Sequence, residues 1–270
     1  MTPSRRSAPW LVVTTLALAL ATAGCGHKSE TPAPARPATG LTPGAPDTAP
    51  AGPSAPRPSK PPAALAWAAQ ATTDVTAWFD PNGRRILGLF PGKQPSGGHT
   101  VFLVDQPSGT AGANAVARGW LRVFLPRRPN GATGWIKRSQ VQLTPLKRRI
   151  EVDLSARQLT MYELDRVVRR WQVAVGRPST PTPTGHFYIT IKLKPPAISR
   201  VYGDWALGLS GFSNVLDQFG TGDGQIALHG TSDTGSIGRA ASAGCVRLDN
   251  GAIRTLAGSL PLGTPVTIRA

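Results

Sequence analysis

The chain has 270 residues, of which 30 are Lys or Arg and 14 are Asp or Glu, so its formal net charge is +16. A hydrophobic content of 40% and only two cysteines exclude a wholly disordered chain and a scaffold held by several disulfides. The basic residues are spread along the chain and form no arm typical of nucleic-acid binding. We therefore expect no nucleic-acid partner, and the net charge favours attraction to an anionic polymer or membrane surface.

Residues 1–25 have the pattern of an export signal. Arg5 and Arg6 make its start positive, and the uncharged stretch 10–23 is rich in Leu, Val and Ala. This stretch is shorter than the ~20 residues that a membrane-spanning helix needs. Small residues ending in Cys25 resemble a bacterial lipoprotein lipobox, in which the cysteine becomes a lipidated N-terminus. An ordinary signal peptide with an incidental cysteine is the alternative.

Residues 26–69 are predicted to be a disordered tether rich in Pro and Ala, because 11 of the 27 prolines lie between residues 31 and 62. Such a segment cannot bury a core and should form an extended spacer. We therefore expect an exported protein of the cell envelope. A lipid on Cys25 would anchor it to the outer face of the cytoplasmic membrane, and the tether would let it reach into the cell wall.

Residues 70–147 are predicted to form a small β domain. The segment 101–104 is a strand-like run, and residues 120–141 contain two further runs around a turn rich in Pro, Asn and Gly. Residues 120–141 resemble the end of bacterial SH3-like domains, so we expect an SH3-like fold here. Trp120 and Trp135 could form a surface for stacking a ligand, although buried core aromatics are the more common outcome.

Residues 148–270 are predicted to form a second, mostly β domain. Longer alternating strands are expected at residues 150–154, 158–163, 171–175, 187–191 and 264–268. The one helical pattern covers residues 252–260, with Asp249 or Asn250 as N-cap and Pro261 as its stop. The absence of a βαβ rhythm excludes a Rossmann fold and an α/β barrel.

Cys245 is the only thiol that processing at Cys25 would leave. A cysteine thiolate is a strong nucleophile at neutral pH if its surroundings lower the thiol pKa. His229 follows a strand-like run at residues 226–228, so a rigid element could direct its imidazole. A Gly-rich interval separates the two residues and could return the chain, so the pattern is consistent with a nucleophilic Cys–His pair.

Small residues before this cysteine and an arginine after it extend the candidate site. Ser242, Ala243 and Gly244 would let the backbone approach a substrate and present N–H groups as an oxyanion hole. Arg247 lies two residues beyond Cys245 and could project from the same side of a strand to hold a carboxylate.

Other interpretations of these residues remain open at this point. A single cysteine is commonly a small buried hydrophobe, and a single histidine is commonly structural. A Cys–His pair could also bind zinc, but zinc would need further ligands that no other cysteine or nearby histidine supplies. We therefore expect neither a metal nor another cofactor.

The same residues closely resemble the catalytic motif of bacterial L,D-transpeptidases, the YkuD-like family. That motif is His-Gly-Thr, a Gly-rich interval, and then Ser-His-Gly-Cys, an apolar residue and Arg. Residues 229–231 (His-Gly-Thr) and 242–247 (Ser-Ala-Gly-Cys-Val-Arg) fill these places. Residues 152–163 resemble the opening hairpin of the family, and residues 173–189 resemble its Gly…Thr-Pro-x-Gly-x-Phe segment. The resemblance covers nearly all of residues 148–270.

The resemblance implies a YkuD-like β-sandwich catalytic domain with one short helix at residues 148–270, preceded by the small SH3-like β domain. It implies that Cys245 is the nucleophile and His229 its base. The backbone N–H groups of Ala243, Gly244 and Cys245 would hold the oxyanion, and the carbonyl of Gly230 would orient the base.

Substrate contacts are expected from four further side chains. Arg247 is the candidate for binding a substrate carboxylate, and Ser242 is expected to contact substrate beside it. Tyr202 and Trp205 are placed along the substrate groove by their position alone. The histidine that the family has before Gly-Cys is Ala243 here, which keeps the backbone donor and lacks the imidazole.

The resemblance implies that the chain cross-links peptidoglycan stem peptides. The thioester on Cys245 would carry the L-centre of a diamino acid after D-Ala leaves, and a side-chain amine of a neighbouring stem would then attack it. Carbapenem-type β-lactams are the expected inhibitors. The alternatives are an L,D-carboxypeptidase or another acyl transferase using the same site, and a non-catalytic peptidoglycan-binding lipoprotein.

Overall fold

The computed structural model describes residues 66–105, 118–196, 200–218 and 222–270. The predicted export signal, the lipidation site Cys25 and nearly all of the tether lie outside these ranges, so they stay predictions. Within the described ranges, no helix is both long and apolar enough to cross a membrane.

The described part of the chain consists of strands, one α-helix and three short 3₁₀ turns. The first strands are β1 (Ala66–Ala71), β2 (Val75–Trp78), β3 (Ile86–Phe90), β4 (Val101–Val104), β5 (Trp120–Phe124), β6 (Thr133–Lys137) and β7 (Val141–Leu146). They are followed by β8 (Arg148–Asp153), β9 (Gln158–Glu163), β10 (Arg166–Gln172), β11 (Val175–Gly176), β12 (Gly185–Leu193), β13 (Ala206–Phe212), β14 (Gln225–His229), β15 (Ala240–Ser242), β16 (Val246–Arg247), α1 (Asn250–Ser259) and β17 (Pro265–Arg269). The predicted mostly β fold with one short helix is confirmed.

Strands β1–β7 form an antiparallel sheet in the order β3-β2-β6-β5-β4-β1-β7. β1 begins at Ala66, inside the segment predicted as tether, and pairs with β7 along its whole length. Its sequence, AWAAQA, gave no strand signal because alanine is depleted in strands. Trp120 is only 5% exposed, which agrees with the core alternative, whereas Trp135 is half-buried.

Eight further strands form a second sheet in the order β10-β9-β8-β17-β12-β13-β14-β16. β12 changes partner along its length: residues 185–188 pair with β17, and residues 189–193 pair with β13. Side chains from both halves of this sheet and from α1 share one hydrophobic cluster. The two halves therefore face each other across a common core, as the layers of a β-sandwich do.

The strand predicted at residues 171–175 differs in the structure. Trp171 belongs to β10, whereas Val175 lies in the separate strand β11, which pairs with β15. Between them, Ala174 forms an isolated bridge with Arg247. Alternation of apolar residues is the same on both sides of the break, so the sequence pattern does not reveal the change of partner.

The helix α1 begins and ends close to the predicted positions. Asp249 is its N-cap, and the Asp249 carboxylate accepts a hydrogen bond of 2.9 Å from the Ala252 backbone N–H. The apolar residues Ala252, Ile253 and Leu256 lie on the buried face of the helix. α1 therefore packs on the core, and in the sequence it begins three residues after the end of β16.

The two large sheets belong to one compact unit of the chain and pack against each other. Tyr188 of β12 is fully buried in a cluster with Val101, Leu103 and other residues of the first sheet. Its hydroxyl donates to the carbonyl oxygen of Phe124 at 3.1 Å. The buried tyrosine thereby joins the central strand of the second sheet to β5.

Candidate active site

The strands that carry the predicted nucleophile and base are neighbours at one edge of the eight-stranded sheet. β14 and β16 run parallel, with Leu228 opposite Val246 and His229 opposite Arg247. Leu228 and Val246 belong to the hydrophobic core. Because side chains alternate along a strand, His229 and Arg247 share the opposite face. Cys245 directly precedes β16, and its thiol forms a hydrogen bond with the backbone of Ala227 on β14. The structure therefore brings these three predicted site residues together.

His229 is a buried histidine whose orientation is fixed by the backbone. It is 2% exposed, and its Nδ1 lies 2.6 Å from the carbonyl oxygen of Gly230. Since a carbonyl oxygen only accepts hydrogen bonds, Nδ1 carries the proton and Nε2 is the basic nitrogen. The ring of Tyr202 meets the imidazole edge-on, with 5.1 Å between the ring centroids.

Burial has the largest effect on the pKa values of His229 and Cys245. It lowers the pKa of His229 from 6.5 to about 4, while the hydrogen bond to Gly230 raises this pKa and the charge of Arg247 lowers it. Burial raises the pKa of the Cys245 thiol, against the lowering effects of a backbone hydrogen bond with Ala227 and of Arg247. At neutral pH the pair therefore rests as an uncharged thiol and an uncharged imidazole.

Ser242 shapes the turn that presents Cys245. Its hydroxyl donates to the carbonyl oxygen of Cys245 at 2.5 Å and accepts the backbone N–H of Gly244 at 3.1 Å. Ser242 is buried, so it has no exposed hydroxyl for the predicted substrate contact and supports the turn instead. The N–H of Gly244 is engaged as well, which differs from its predicted place in the oxyanion hole. Gly244 has a φ of +125°, a conformation that glycine adopts readily.

The loop after β11 holds this turn from the other side. The backbone N–H of Arg177 donates to the carbonyl oxygen of Ser242 at 3.1 Å, and the hydroxyl of Thr180 donates to the same oxygen at 3.3 Å. Thr182 accepts the backbone N–H of Gly176 at 2.8 Å and so closes the loop. This loop, rich in Pro and Thr, therefore holds the turn before Cys245 through one backbone and one side-chain hydrogen bond to Ser242.

Arg247 lies beside an exposed carboxylate, and its charge lowers the pKa of both His229 and Cys245. Its Nη1 is 4.0 Å from Oδ2 of Asp233, and the two side chains are 20% and 63% exposed. Nε of Arg247 is buried and has no hydrogen-bond partner among the described residues. The Arg247 backbone is held by two hydrogen bonds of 2.9 Å with Ala174. The guanidinium group therefore retains donors for a further anion.

The two aromatic residues predicted to line the groove occupy different environments. Tyr202 is 37% exposed beside His229, where it can contact a substrate. Trp205 packs against the hydrophobic core, and its carbonyl oxygen accepts the backbone N–H of Gly230 at 3.0 Å. Tyr202 therefore lies at the site, whereas Trp205 packs against the core and supports the backbone of Gly230.

Asn250 supports the base from the first turn of α1. Its side-chain oxygen accepts the backbone N–H of Asp204 at 3.1 Å. A Cβ atom at Gly230 would collide with the same oxygen and with Ile253, so the glycine permits this close approach. Asn250 therefore connects the residue after His229 with the segment that carries Tyr202.

Sequence reasoning missed the contributions of Ala227 and Asp233, and it considered Asn250 only as a cap. Ala227 acts through its backbone, so its residue type carries no signal. Asp233 follows His229 by four positions in a loop, and only the folded chain places it beside Arg247. No group of three or more His, Cys, Asp or Glu side chains that could hold a metal ion occurs in the described ranges.

Comparison with known proteins finds similarity for the C-terminal part of the chain. Residues 147–268 match the family model of the L,D-transpeptidase catalytic domain, YkuD. The candidate L,D-transpeptidase YkuD of Bacillus licheniformis is 38% identical over 120 residues, which are 44% of this chain and 64% of that protein. The YkuD protein of Bacillus subtilis is 37% identical over 119 residues, with the same shares of both chains. The chain thus spans 64% of the length of these curated relatives.

Solved structures of similar proteins include an L,D-transpeptidase from Mycobacterium smegmatis. It is 17% identical, has a TM-score of 0.40, and the match covers 64% of this chain and 91% of that one. Another is L,D-transpeptidase 3 from Mycobacterium tuberculosis, solved with a faropenem-derived adduct, at 14% identity and a TM-score of 0.41. That match covers 64% of this chain and 92% of that one.

The family model and the two Bacillus relatives agree with the motif residues assembled at β14 and β16. Residues 147–268 are accordingly similar in sequence to the L,D-transpeptidase (YkuD) catalytic domain.

Proposed function

We propose that this chain is a peptidoglycan L,D-transpeptidase that works through a thioester on Cys245. The observation that carries the proposal is that His229 and Arg247 share one face of β14 and β16, while Cys245 directly precedes β16 and its thiol bonds to the backbone of β14. The match of the surrounding residues to the family model supports the reaction class. The proposed substrates are stem peptides that end in a diamino acid followed by D-Ala.

In the proposed first step, the sulfur of Cys245 attacks the carbonyl carbon at the L-centre of the diamino acid. The thiol proton moves to Nε2 of His229, so the base supplies the thiolate that the raised thiol pKa withholds at rest. The bond to D-Ala then breaks, and the imidazolium gives its proton to the leaving amine. A thioester on Cys245 remains.

Backbone N–H groups would stabilise the oxyanion formed in this step. The N–H of Gly244 is already donated to Ser242, so we assign the oxyanion to the N–H groups of Ala243 and Cys245. This role needs no side chain at position 243. An alanine where the family has histidine is therefore compatible with the reaction.

In the proposed second step, the side-chain amine of a neighbouring stem attacks the thioester carbonyl. His229 takes a proton from the attacking amine and returns it to the departing sulfur, which restores the thiol. The new amide bond joins two diamino acids. We propose that Arg247 binds a substrate carboxylate during these steps, because its guanidinium is close to the pair and has an unpaired buried Nε.

Cys245→Ala tests the proposal directly. We expect the wild-type protein to gain one carbapenem mass and to release D-Ala from a tetrapeptide donor, and we expect the variant to do neither. The reason is that the variant lacks the atom that forms the thioester. Intact-mass spectrometry and D-Ala release with an added amine acceptor measure the two reactions, and the thermal midpoint of unfolding checks that the variant folds.

The products distinguish the alternatives. Cross-linked dimers support a transpeptidase, whereas hydrolysed tripeptide alone would assign an L,D-carboxypeptidase that uses water as acceptor. Full donor turnover by Cys245→Ala would overturn the mechanism. A wild-type protein that binds peptidoglycan but forms neither adduct nor product would be a binding module.

A further inference from the structure

We propose that Asp233 is a specificity-determining residue that acts with Arg247 to bind a zwitterion, the α-amino-carboxylate end of the substrate's diamino acid. Arg247 would take the carboxylate and Asp233 the ammonium group. This inference rests on the proposed function and names the substrate class of that site. The preferred diamino acid would be a dicarboxylic one, with a free amine and a free carboxylate on its distal carbon.

In this pair, the cation Arg247 is the more buried residue and the anion Asp233 is the more exposed one. Arg247 is 20% exposed and Asp233 is 63% exposed, and 4.0 Å separate their nearest charged atoms. Such a wide, exposed contact stabilises the free protein little, so a ligand can share both groups at low cost. The buried Nε of Arg247, which lacks a partner among the described residues, adds a donor for the ligand carboxylate.

The backbone holds Asp233 in place although its carboxylate is exposed. The Asp233 N–H donates to the hydroxyl of Thr231 at 3.1 Å. The Asp233 carbonyl oxygen accepts the N–H of Ser236 at 3.2 Å and the Ser236 hydroxyl at 2.7 Å. Thr231 and Ser236 are both buried. The carboxylate therefore extends from a fixed backbone position, which lowers the entropy lost on binding a ligand.

The pair lies at a suitable distance from the nucleophile. Arg247 is two residues beyond Cys245, so their Cα atoms are at most about 7 Å apart. The charge of Arg247 also lowers the pKa of the Cys245 thiol, which places the two side chains near each other. A diamino acid whose L-carbonyl is at Cys245 can reach Arg247 with the far end of a side chain a few methylene groups long. A diamino acid that ends in a simple amine would satisfy Asp233 and leave Arg247 without a carboxylate.

Three tetrapeptide donors test the inference. The first has a diamino-dicarboxylic residue with a free distal amine and carboxylate, the second has that amine acetylated, and the third has that carboxylate amidated. The measurement is kcat/KM for D-Ala release with a common amine acceptor in fixed excess. We expect the wild type to favour the first donor roughly fivefold over each of the others, because each modification removes one ion pair.

Asp233→Asn should abolish the preference over the acetylated donor and keep the preference over the amidated donor. Asp233→Glu should restore the first preference. Asp165→Asn is the matched control, because it removes an exposed carboxylate in the turn between β9 and β10, at the opposite edge of the sheet. We expect wild-type selectivity from this control.

An equal loss for the free and acetylated donors in Asp233→Asn would overturn the inference, since it would mean that Asp233 only supports Arg247. A wild type without preference for the free amine would overturn it too. In both cases the carbapenem adduct on Cys245 and D-Ala release would persist, so the proposed function would stand. Failure to release D-Ala from any donor would remove the proposed function and this inference together.

Discussion

His229 shows how burial can set the protonation state of the proposed catalytic pair. The buried imidazole has a pKa of about 4, so it is neutral above that pH and its Nε2 can accept the thiol proton. The hydrogen bond from Nδ1 to Gly230 fixes which nitrogen does so. The same burial raises the thiol pKa of Cys245, which makes the base necessary at neutral pH.

The acid limb of the pH–rate profile should therefore lie near the pKa of the buried imidazole. We expect kcat/KM for carbapenem acylation to fall to half at about pH 4, and not near 6.5, because His229 must be neutral to accept a proton. Stopped-flow or mass-resolved acylation between pH 3.5 and pH 8 measures this, and circular dichroism at each pH checks that the protein is folded.

The same shift links His229 to stability. Between pH 4 and pH 6.5 the unfolded state binds more protons than the folded state, so the free energy of unfolding should rise with pH across this window. The full effect is on the order of 3 kcal/mol. His229→Gln should lose this dependence, while His186→Gln, which alters an exposed histidine on β12, should keep it.

For the acylation profile, an acid limb near pH 6.5 in the wild type would contradict the assigned pKa of His229.

At the scale of elements, α1 supports the site from behind β16. Asp249 caps the helix, Asn250 contacts the backbone of Asp204, and Ile253 packs in the core. These residues directly follow β16. The start of the helix and the support beneath His229 therefore depend on one short segment. The cap is therefore a structural feature with a consequence for the site.

Removing the N-cap of α1 should lower the free energy of unfolding more than it lowers the activity. We expect Asp249→Ala to lower the free energy of unfolding by about 1 kcal/mol, since it leaves the Ala252 N–H without its acceptor. Asp249→Asn retains an acceptor and is the matched control. Urea denaturation measures both variants, and equal losses in the two would show that the side-chain charge, and not the cap hydrogen bond, is responsible.

In the whole molecule, the first sheet belongs to the same compact unit as the strands that carry the candidate site. Asn130, in the turn between β5 and β6, pairs with the backbone of Phe212 through two hydrogen bonds of 2.8 Å. Arg128 in the same turn donates to the carbonyl oxygens of Ser213, Leu216 and Asp223. This turn therefore holds the connection that leads from β13 into β14, the strand of His229.

We expect the two sheets to unfold in one transition, and Asn130→Ala to lower its thermal midpoint. The variant leaves the N–H and carbonyl of the buried Phe212 without partners, at a cost of about 2 kcal/mol. Asn214→Ala is the control, because Asn214 only accepts a longer hydrogen bond from Asn130. Differential scanning calorimetry measures both, and two separate transitions in the wild type would contradict a shared unit.

Local sequence patterns were sufficient to predict the features that are encoded within short segments. Alternation predicted β4 and β9 at the observed residues, and the Asp-Asn start with a following proline predicted α1. The spacing of His-Gly-Thr and Gly-Cys-x-Arg predicted the residues that meet at β14 and β16. These features were accessible because each is encoded within a few neighbouring positions.

Features that depend on burial and on distant partners could be recognised only in the folded chain. It placed Ala66 in a strand, because β7 supplies the pairing that an alanine-rich segment does not encode. It engaged the Gly244 N–H with Ser242 and set Asp233 beside Arg247. It also made the reacting pair uncharged at rest, because desolvation depends on everything packed around a side chain and not on its neighbours in sequence.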